Sequence, residues 1–161
     1  MDTIEGSRQA TGLRFAVVVS KYNEFVTDRL QAGALAALAA AGVAADDVTL
    51  VRVPGAFEIP LAAQHAAESA RFDAVVCLGC LIRGETPHFG YIASAVSQGL
   101  TTAAAATGVP MAFGVLTTNS VEEALARAGD GTGNKGHEAA VAAIEMAGVV
   151  AQLTRHATPG T

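Results

Sequence analysis

Basic residues are scarce in this chain of 161 residues, which has 10 Lys and Arg against 15 Asp and Glu and a formal net charge of −5. That balance does not favour binding to nucleic acid or to an anionic membrane surface. Long hydrophobic runs are also missing: the longest nearly apolar segment, residues 32–45, is too short and too rich in Gly and Ala to span a bilayer. The N-terminus, with Asp2, Glu5 and Arg8, lacks the apolar core of a secretory signal, so we expect a cytoplasmic protein.

Cysteine occurs only twice, as Cys77 and Cys80. The pair lies at the end of a predicted strand, where residues three apart face opposite sides, so a disulfide between them would break the strand. A redox-active C-x-x-C pair normally begins a helix instead. Two cysteines alone cannot form a zinc site either. The most conspicuous spacing in the chain therefore predicts two buried strand residues.

Apolar runs alternate regularly with helical patterns along the chain. Apolar residues make up 51% and charged residues 16%, which favours a globular domain over a disordered chain. Continuous apolar runs predict strands at Phe15–Ser20, Val48–Val53, Ala74–Leu78 and Met111–Leu116. Helical spacing and capping residues predict helices at about Glu24–Ala41, Phe57–Ala70, His88–Thr107, Ser120–Ala128 and Lys135–Arg155.

This alternation demands a parallel sheet covered by helices on both faces. We therefore predict an α/β fold, a three-layer αβα sandwich with a four-stranded parallel sheet, of the flavodoxin-like class. Residues 1–12 are expected to form an arm, strand-like if it pairs with a partner, residues 13–156 a single domain, and residues 157–161 a disordered tail. In such sheets the ligand site lies at the carboxyl ends of the strands.

Gly79–Phe89 is the stretch that most clearly indicates chemistry. It is predicted as a strand end, a turn containing glycine and a helix start, with Thr86 as the N-cap and Pro87 as the first helical residue. Backbone N–H groups at such a junction, together with the helix dipole, favour an anion, most often phosphate. His88 would be a proton-transfer group beside it, or a residue that only helps to begin the helix. His65, His137 and His156 are interpreted as solvated surface residues.

Several residues near the strand ends have both a binding and a structural interpretation. Glu58 could accept hydrogen bonds from hydroxyl or ring N–H groups, or could only complement a helix dipole. Arg127 could clamp a phosphate, or could only end a helix favourably. Aromatic rings near these ends suit stacking on a flat heterocycle or ordinary core packing. They are Tyr22, Phe57, Phe89, Tyr91 and Phe113.

Six segments together resemble the 6,7-dimethyl-8-ribityllumazine synthase family. They occur in family order and cover roughly residues 13–153. The segments are Tyr22-Asn23-Glu24-Phe25, Val53–Pro60, Leu78–Gly79 with Ile82–Phe89, Phe113–Thr117, Ala124–Gly129 and Gly133-Asn134-Lys135-Gly136. The resemblance implies an enzyme that condenses 5-amino-6-ribitylaminouracil with 3,4-dihydroxy-2-butanone 4-phosphate, releasing phosphate and water, without a metal or organic cofactor.

By this resemblance, the pyrimidine substrate would be held largely by rings and backbone groups. Tyr22 would stack on the ring, with Phe113 of a neighbouring subunit beside it. The ribityl chain and ring edge would be held by Ala56, Phe57 and Glu58. Backbone contacts to the ring would come from Cys80, Leu81 and Ile82. Tyr22 and Cys80 depart from the residues usual at their positions, Phe or Trp and Val, Ala or Thr, and Gly90 replaces a frequent acidic residue.

The resemblance also implies a phosphate site shared between subunits. Glu85 and Thr86 would donate backbone N–H groups to the phosphate, and Arg127 of a neighbouring subunit would clamp it. Lys135 is a weaker candidate for the same anion. His88 would transfer protons, so His88→Ala is expected to slow the reaction without abolishing it.

The expected partners are small-molecule substrates and further copies of this chain. The family forms pentamers, and some members close into an icosahedral shell of twelve. We expect such a shell, because the turn before the last helix is compact and the arm lacks proline. A small-residue stripe on the third long helix fits the pentamer axis: Ile92, Val96, Gly99, Ala103 and Ala106. Two alternatives remain open, a flavodoxin-like module that binds a flavin or phosphate without turnover, and a purely structural cage.

Overall fold

A computed structural model describes residues 1–156, and the expected tail, residues 157–161, lies outside the described residues. Its sheet has four parallel strands in the order β2-β1-β3-β4. The strands are β1 Phe15–Ser20, β2 Val48–Val53, β3 Ala74–Ile82 and β4 Met111–Thr118. The helices are α1 Glu24–Ala40, α2 Ile59–Glu68, α3 His88–Thr107, α4 Val121–Ala126 and α5 Lys135–His156.

Helices cover both faces of this sheet. One core layer packs α1, α4 and α5 against one face, and a second layer packs α2 and α3 against the other. All six residues of β1 are buried, as expected of a continuous apolar run between two helical layers. The α/β class, the three layers and the parallel sheet are thereby confirmed.

β3 is longer than predicted, because it continues through Gly79 to Ile82 instead of ending at Leu78. The prediction treated Gly79 as the start of a turn. In the fold, this glycine is needed for close packing inside the strand, since a Cβ there would lie 3.0 Å from Ile59 Cδ1 and 3.3 Å from Ser20 Oγ. The extra residues matter for the site described below.

The cap of α3 and both ends of α2 also differ from the prediction, and β4 continues to Thr118. Pro87, not Thr86, is the N-cap of α3, and no side chain caps that helix. A single 3₁₀ turn over Ala56–Glu58 precedes α2, which ends at Glu68, and Ala70 then adopts a left-handed conformation with φ 59°. The predicted capping box is confirmed in part, because the Ser120 side chain accepts a 3.1 Å hydrogen bond from the Glu123 N–H.

The small-residue stripe on α3 serves mainly the packing of the subunit itself. Val96 and Ala103 are buried, and a Cβ on Gly99 would lie 2.7 Å from Pro60 Cβ on α2. Ala106 is exposed. The core interpretation of the stripe therefore holds within the chain, and the face of α3 left for neighbours is polar, with Ser97, Gln98, Thr101 and Thr102.

The N-terminal arm lies along α5 of its own chain. Gln152 Nε2 donates to the Glu5 carbonyl at 2.7 Å, Arg8 pairs with Glu145 at 3.2 Å, and Ala10 is buried. Residues 1–12, all of them described, contain neither helix nor strand. Over residues 1–156, no helix has the length and apolarity needed to cross a membrane.

Candidate active site

A cleft of about 820 Å³ opens over the carboxyl ends of β1, β2 and β3. The strand order changes direction between β1 and β3, which is where open α/β sheets bind ligands. Nine predicted site residues line this cleft: Tyr22, Ala56, Phe57, Glu58, Cys80, Leu81, Ile82, Thr86 and His88. Glu85 lies in the same loop with an exposed side chain but outside the lining.

The cleft exists because β3 extends beyond its neighbour. β1 pairs with β3 only as far as Leu78, whereas β4 pairs with it as far as Ile82. Backbone groups alternate between the two sides of a strand. Because the Arg83 N–H bonds the Thr118 carbonyl on the β4 side at 2.8 Å, the N–H and C=O groups of Ile82 point to the other side, into the cleft. This geometry leaves the Ile82 backbone available for the predicted contact, whereas the Leu81 backbone, by the same alternation, points towards β4.

Asn23 fixes the opposite wall of the cleft, a role that the sequence interpretation missed. It adopts a left-handed conformation with φ 61° between β1 and α1, and its side chain does not cap α1. Instead, Asn23 Nδ2 donates to the Cys80 carbonyl at 2.9 Å, tying the turn to the extended end of β3. The signal for this role is an asparagine in a short strand–helix link, since asparagine tolerates the left-handed region. Tyr22, beside it, is 71% exposed.

The 3₁₀ turn after β2 places three predicted residues at one rim. Ala56 is buried, while Phe57 is 62% exposed. The Glu58 carboxylate lies over the turn, because a Cβ on Gly55 would be 3.2 Å from Glu58 Oε2. An exposed carboxylate beside backbone groups can accept hydrogen bonds from the hydroxyls of a polyol.

The loop after β3 leads into the N-terminus of α3. Gly90 and Tyr91 donate their N–H groups to the Pro87 carbonyl, so those of His88 and Phe89 precede the first intrahelical bonds. Arg83 braces the loop: its Nε donates to Asn119 Oδ1 at 3.0 Å, and its guanidinium lies 5.0 Å from the centre of the Phe89 ring. The His88 side chain is exposed to the cleft.

The cleft offers an anion backbone dipoles, the Thr86 hydroxyl and the His88 imidazole, but no permanently cationic side chain. Among the described residues, those that line it include no lysine or arginine. Lys21 and Arg83 adjoin lining residues in sequence, and the Arg83 guanidinium is held by Phe89 and Asn119. Helix N-termini favour a phosphate, yet a dianion is bound more strongly when fixed cations neutralise it.

Two predicted residues, Phe113 and Arg127, lie outside the cleft, in a separate groove of about 330 Å³ beside β4. Lys135 lines the same groove. The backbones of the two cations are joined, because the Lys135 N–H donates to the Arg127 carbonyl at 2.9 Å. Lys135 Nζ lies 2.8 Å from Glu138 Oε2, and Phe113 is 50% exposed. A single chain therefore does not bring Phe113 and Arg127 to His88.

Cys77 and Cys80 are both buried and free. They pack in different core layers, on opposite faces of the sheet, as their spacing predicted. Burial raises the pKa of the Cys77 thiol to about 12 and that of Cys80 to about 11. Both thiols are thus protonated at neutral pH and poorly nucleophilic. Within residues 1–156, no three His, Cys, Asp or Glu side chains cluster so as to hold a metal ion.

Comparison with known proteins agrees with this geometry. The family model described as 6,7-dimethyl-8-ribityllumazine synthase matches residues 12–151. A 6,7-dimethyl-8-ribityllumazine synthase from Syntrophus aciditrophicus (strain SB) is 51% identical over 149 residues, covering 92% of this chain and 97% of the relative. The chain belongs to the 6,7-dimethyl-8-ribityllumazine synthase family.

Membership of the lumazine synthase family confirms the resemblance found in the motifs and the expected class of enzyme, a transferase of riboflavin biosynthesis. The roles of individual residues stay predictions. The structure brings nine of the twelve predicted site residues together in one cleft, leaves Glu85 in the adjoining loop and places Phe113 and Arg127 elsewhere. Arg83 and Asn119, which brace the cradle, were not predicted, because their pairing across two strand ends leaves no pattern in the sequence.

Proposed function

We propose that this protein condenses 5-amino-6-ribitylaminouracil with 3,4-dihydroxy-2-butanone 4-phosphate to 6,7-dimethyl-8-ribityllumazine, releasing phosphate and water. One observation carries the proposal beyond family membership. The cleft has the shape, backbone groups and imidazole for this reaction but no cation, whereas the groove has two cations and an exposed ring. Each surface supplies what the other lacks.

In this proposal the active site forms between adjacent subunits. The groove of one subunit covers the cleft of the next, so that Arg127 reaches the phosphate held at Thr86 and the N–H of Glu85. Phe113 then lies beside the pyrimidine that stacks on Tyr22. Burying a half-exposed ring such as Phe113 at the contact also adds hydrophobic stabilisation. A homo-oligomer follows from this arrangement, and we propose a pentamer, assembled into an icosahedral particle of sixty chains in the cytoplasm.

The reaction needs positioning more than strong acid or base catalysis. An amine attacks a ketone, and water leaves to give an imine. Phosphate is then eliminated, and the enol left behind becomes a second carbonyl. The second amine attacks that carbonyl and closes the ring with loss of a second water. The Ile82 backbone and Glu58 hold the pyrimidine, the α3 N-terminus and Arg127 hold the phosphate, and the reacting carbons meet between them. Proximity of this kind supplies most of the acceleration. His88, at the start of α3, moves protons to and from the amine and carbinol groups.

A turnover assay tests the reaction itself. The protein is mixed with both substrates, and phosphate release is followed together with the fluorescence of the lumazine. We expect one phosphate to be released for each molecule of lumazine that is formed. Binding of the pyrimidine without phosphate release would instead support a binding module, and neither binding nor release would support a structural cage.

Mixed assemblies test whether the site is shared. His88→Ala impairs the cleft and Arg127→Met impairs the groove, and the two variants are co-expressed. If sites form between subunits and chains mix at random, about one quarter of the sites combine an intact cleft with an intact groove, so activity recovers to about that fraction of the wild type. Activity no greater than the average of the two parent variants would contradict a shared site.

A further inference from the structure

Asn134 is a buried polar residue that joins the segments lying behind the groove. It precedes α5 and is only 3% exposed. Its side chain makes four hydrogen bonds. Nδ2 donates to the Arg29 carbonyl at 3.1 Å and to the Gly129 carbonyl at 2.9 Å, and Oδ1 accepts from the N–H groups of Gly136 at 2.8 Å and His137 at 3.1 Å.

These four bonds use the full capacity of the side chain. A primary amide has two N–H donors and one oxygen with two lone pairs, and each is satisfied by backbone. The bonds join three segments: the middle of α1, the turn after α4 and the first turn of α5. Aspartate would lack both donors, and glutamine would be too long, because a Cβ added at Gly33 on α1 would already collide with the Asn134 side chain.

The segments joined by Asn134 carry the two cations of the groove. Arg127 ends α4, two residues before the Gly129 carbonyl that Asn134 holds. Lys135 directly follows Asn134 and bonds the Arg127 carbonyl through its own N–H. Ala124 and Ala128 anchor this segment in the core, but Arg127 itself is exposed and Gly129 is half-buried. The direction of the Arg127 side chain thus depends on this backbone network as well as on core packing.

We propose that Asn134 is a positioning residue for phosphate recognition, which sets the separation and direction of Arg127 and Lys135 for the active site of the adjacent subunit. This inference rests on the proposed function, because it assumes that Arg127 meets the phosphate of the substrate. Asn134 itself does not touch substrate. Its loss is therefore expected to weaken binding of the phosphorylated substrate while leaving the pyrimidine subsite intact.

The test uses the intact assembled enzyme and three variants. Asn134→Asp keeps the shape and the accepting Oδ1 but replaces Nδ2, with its two N–H donors, by an oxygen that repels the Arg29 and Gly129 carbonyls. Asn134→Ser keeps a helix-capping hydroxyl but cannot reach those carbonyls, and it replaces Asn134→Asp if that variant fails to assemble. Leu38→Ala, in the same core layer but more than two turns further along α1, controls for lost stability without altering the groove.

The expected result is a KM for the phosphorylated substrate about 10-fold higher in Asn134→Asp and Asn134→Ser, with a KM for the pyrimidine within about 2-fold of the wild type. The inhibition constant of inorganic phosphate should rise by the same factor as that KM. Leu38→Ala should lower the Tm without changing either KM. Equal rises in both KM values, or the same rise in Leu38→Ala, would show a purely structural role and overturn the inference.

Arg127→Met separates this inference from the proposed function. If it raises the KM for the phosphorylated substrate and neither Asn134 variant does, only the positioning role is overturned. If Arg127→Met itself leaves that KM unchanged, both the phosphate clamp and the positioning role are overturned.

Discussion

The cleft over β1 and β3 and the groove beside β4 offer different chemical groups to a ligand. The cleft is built from backbone: the extended end of β3, the 3₁₀ turn after β2 and the start of α3. The groove relies on long side chains, Arg127 and Lys135, next to a half-exposed ring. The cleft is accordingly fixed by the fold, whereas the direction of the groove's cations depends on a small hydrogen-bond network. One chain thus carries two unlike surfaces, the cleft and the groove, and each can be tested separately.

The largest single effect is expected in the cleft, from His88→Ala. Loss of a proton-transfer group costs about 10²–10⁴ in rate, and we expect the lower end of this range in kcat, because positioning is retained. His65→Ala, at an exposed position on α2, is the control and should leave kcat unchanged. Complete inactivity of a folded, assembled His88→Ala variant would indicate that the cleft contributes chemistry beyond proton transfer.

If the groove of one subunit meets the cleft of the next, removing the ring of Tyr22 or that of Phe113 should weaken binding of the same substrate, the pyrimidine. Stacking of a base on an aromatic side chain is worth about 1–3 kcal/mol, so Tyr22→Ala and Phe113→Ala should each raise the KM for the pyrimidine about 10-fold or more. Steady-state kinetics with the phosphorylated substrate at saturation measures this. Tyr22→Phe should behave as the wild type. A Phe113→Ala variant with an unchanged KM for the pyrimidine would place the groove outside the ring subsite.

Raising the salt concentration should have a smaller effect, and it should change the KM values of the two substrates differently. Fixed cations that face solvent are screened as ionic strength rises, so the KM for the phosphorylated substrate should increase about 3-fold between low salt and about 0.5 M KCl. The KM for the pyrimidine, held by rings and backbone, should change little over the same range. Parallel changes in both would argue against a division of labour between charge and backbone.

The smallest effect is expected from Cys80→Ala. Its thiol packs in the core layer under α1 and α5, and the Cys80 carbonyl, not the side chain, bonds Asn23. We expect kcat/KM within about 2-fold of the wild type, because the substitution keeps the Cys80 backbone, the only part of the residue that is expected to contact the substrate.

With pKa values of about 11 and 12, less than about one thiol in 10² is ionised at pH 8. A thiol reagent should therefore label neither cysteine in the native protein and both after unfolding.

The sequence was sufficient for the fold class because the two central strands, β1 and β3, are buried on both faces, which leaves continuous apolar runs such as Phe15–Ser20. It was insufficient at Gly79, where a glycine needed for packing against Ile59 resembles a turn. Thr86 failed as a cap because Pro87 occupies that position and caps α3 without a side-chain bond. Helical spacing finds the apolar face of a helix, but it does not reveal whether the stripe on α3 meets α2 or a neighbouring chain.

The candidate site was predictable where it follows strand ends and unpredictable where it depends on distant pairing. Tyr22, Glu58 and His88 each lie within six residues after the end of a strand, and topology alone collects them in one cleft. Asn134 could be read as part of a motif, but its four backbone partners lie as far away as Arg29 in the sequence. Contacts of that kind are a property of packing, and no local pattern encodes them.

The extension of β3 past β1 also sets the depth of the cleft. At about 3.3 Å per residue, its last three residues, Cys80–Ile82, carry the cleft wall roughly 10 Å beyond Ser20, the last residue of β1. Deleting two of them would lower that wall by roughly 7 Å while keeping every remaining side chain on its own face. Deleting one would exchange the two faces and turn the Ile82 backbone away from the cleft. The depth of the binding site can thus be redesigned only in steps of two residues.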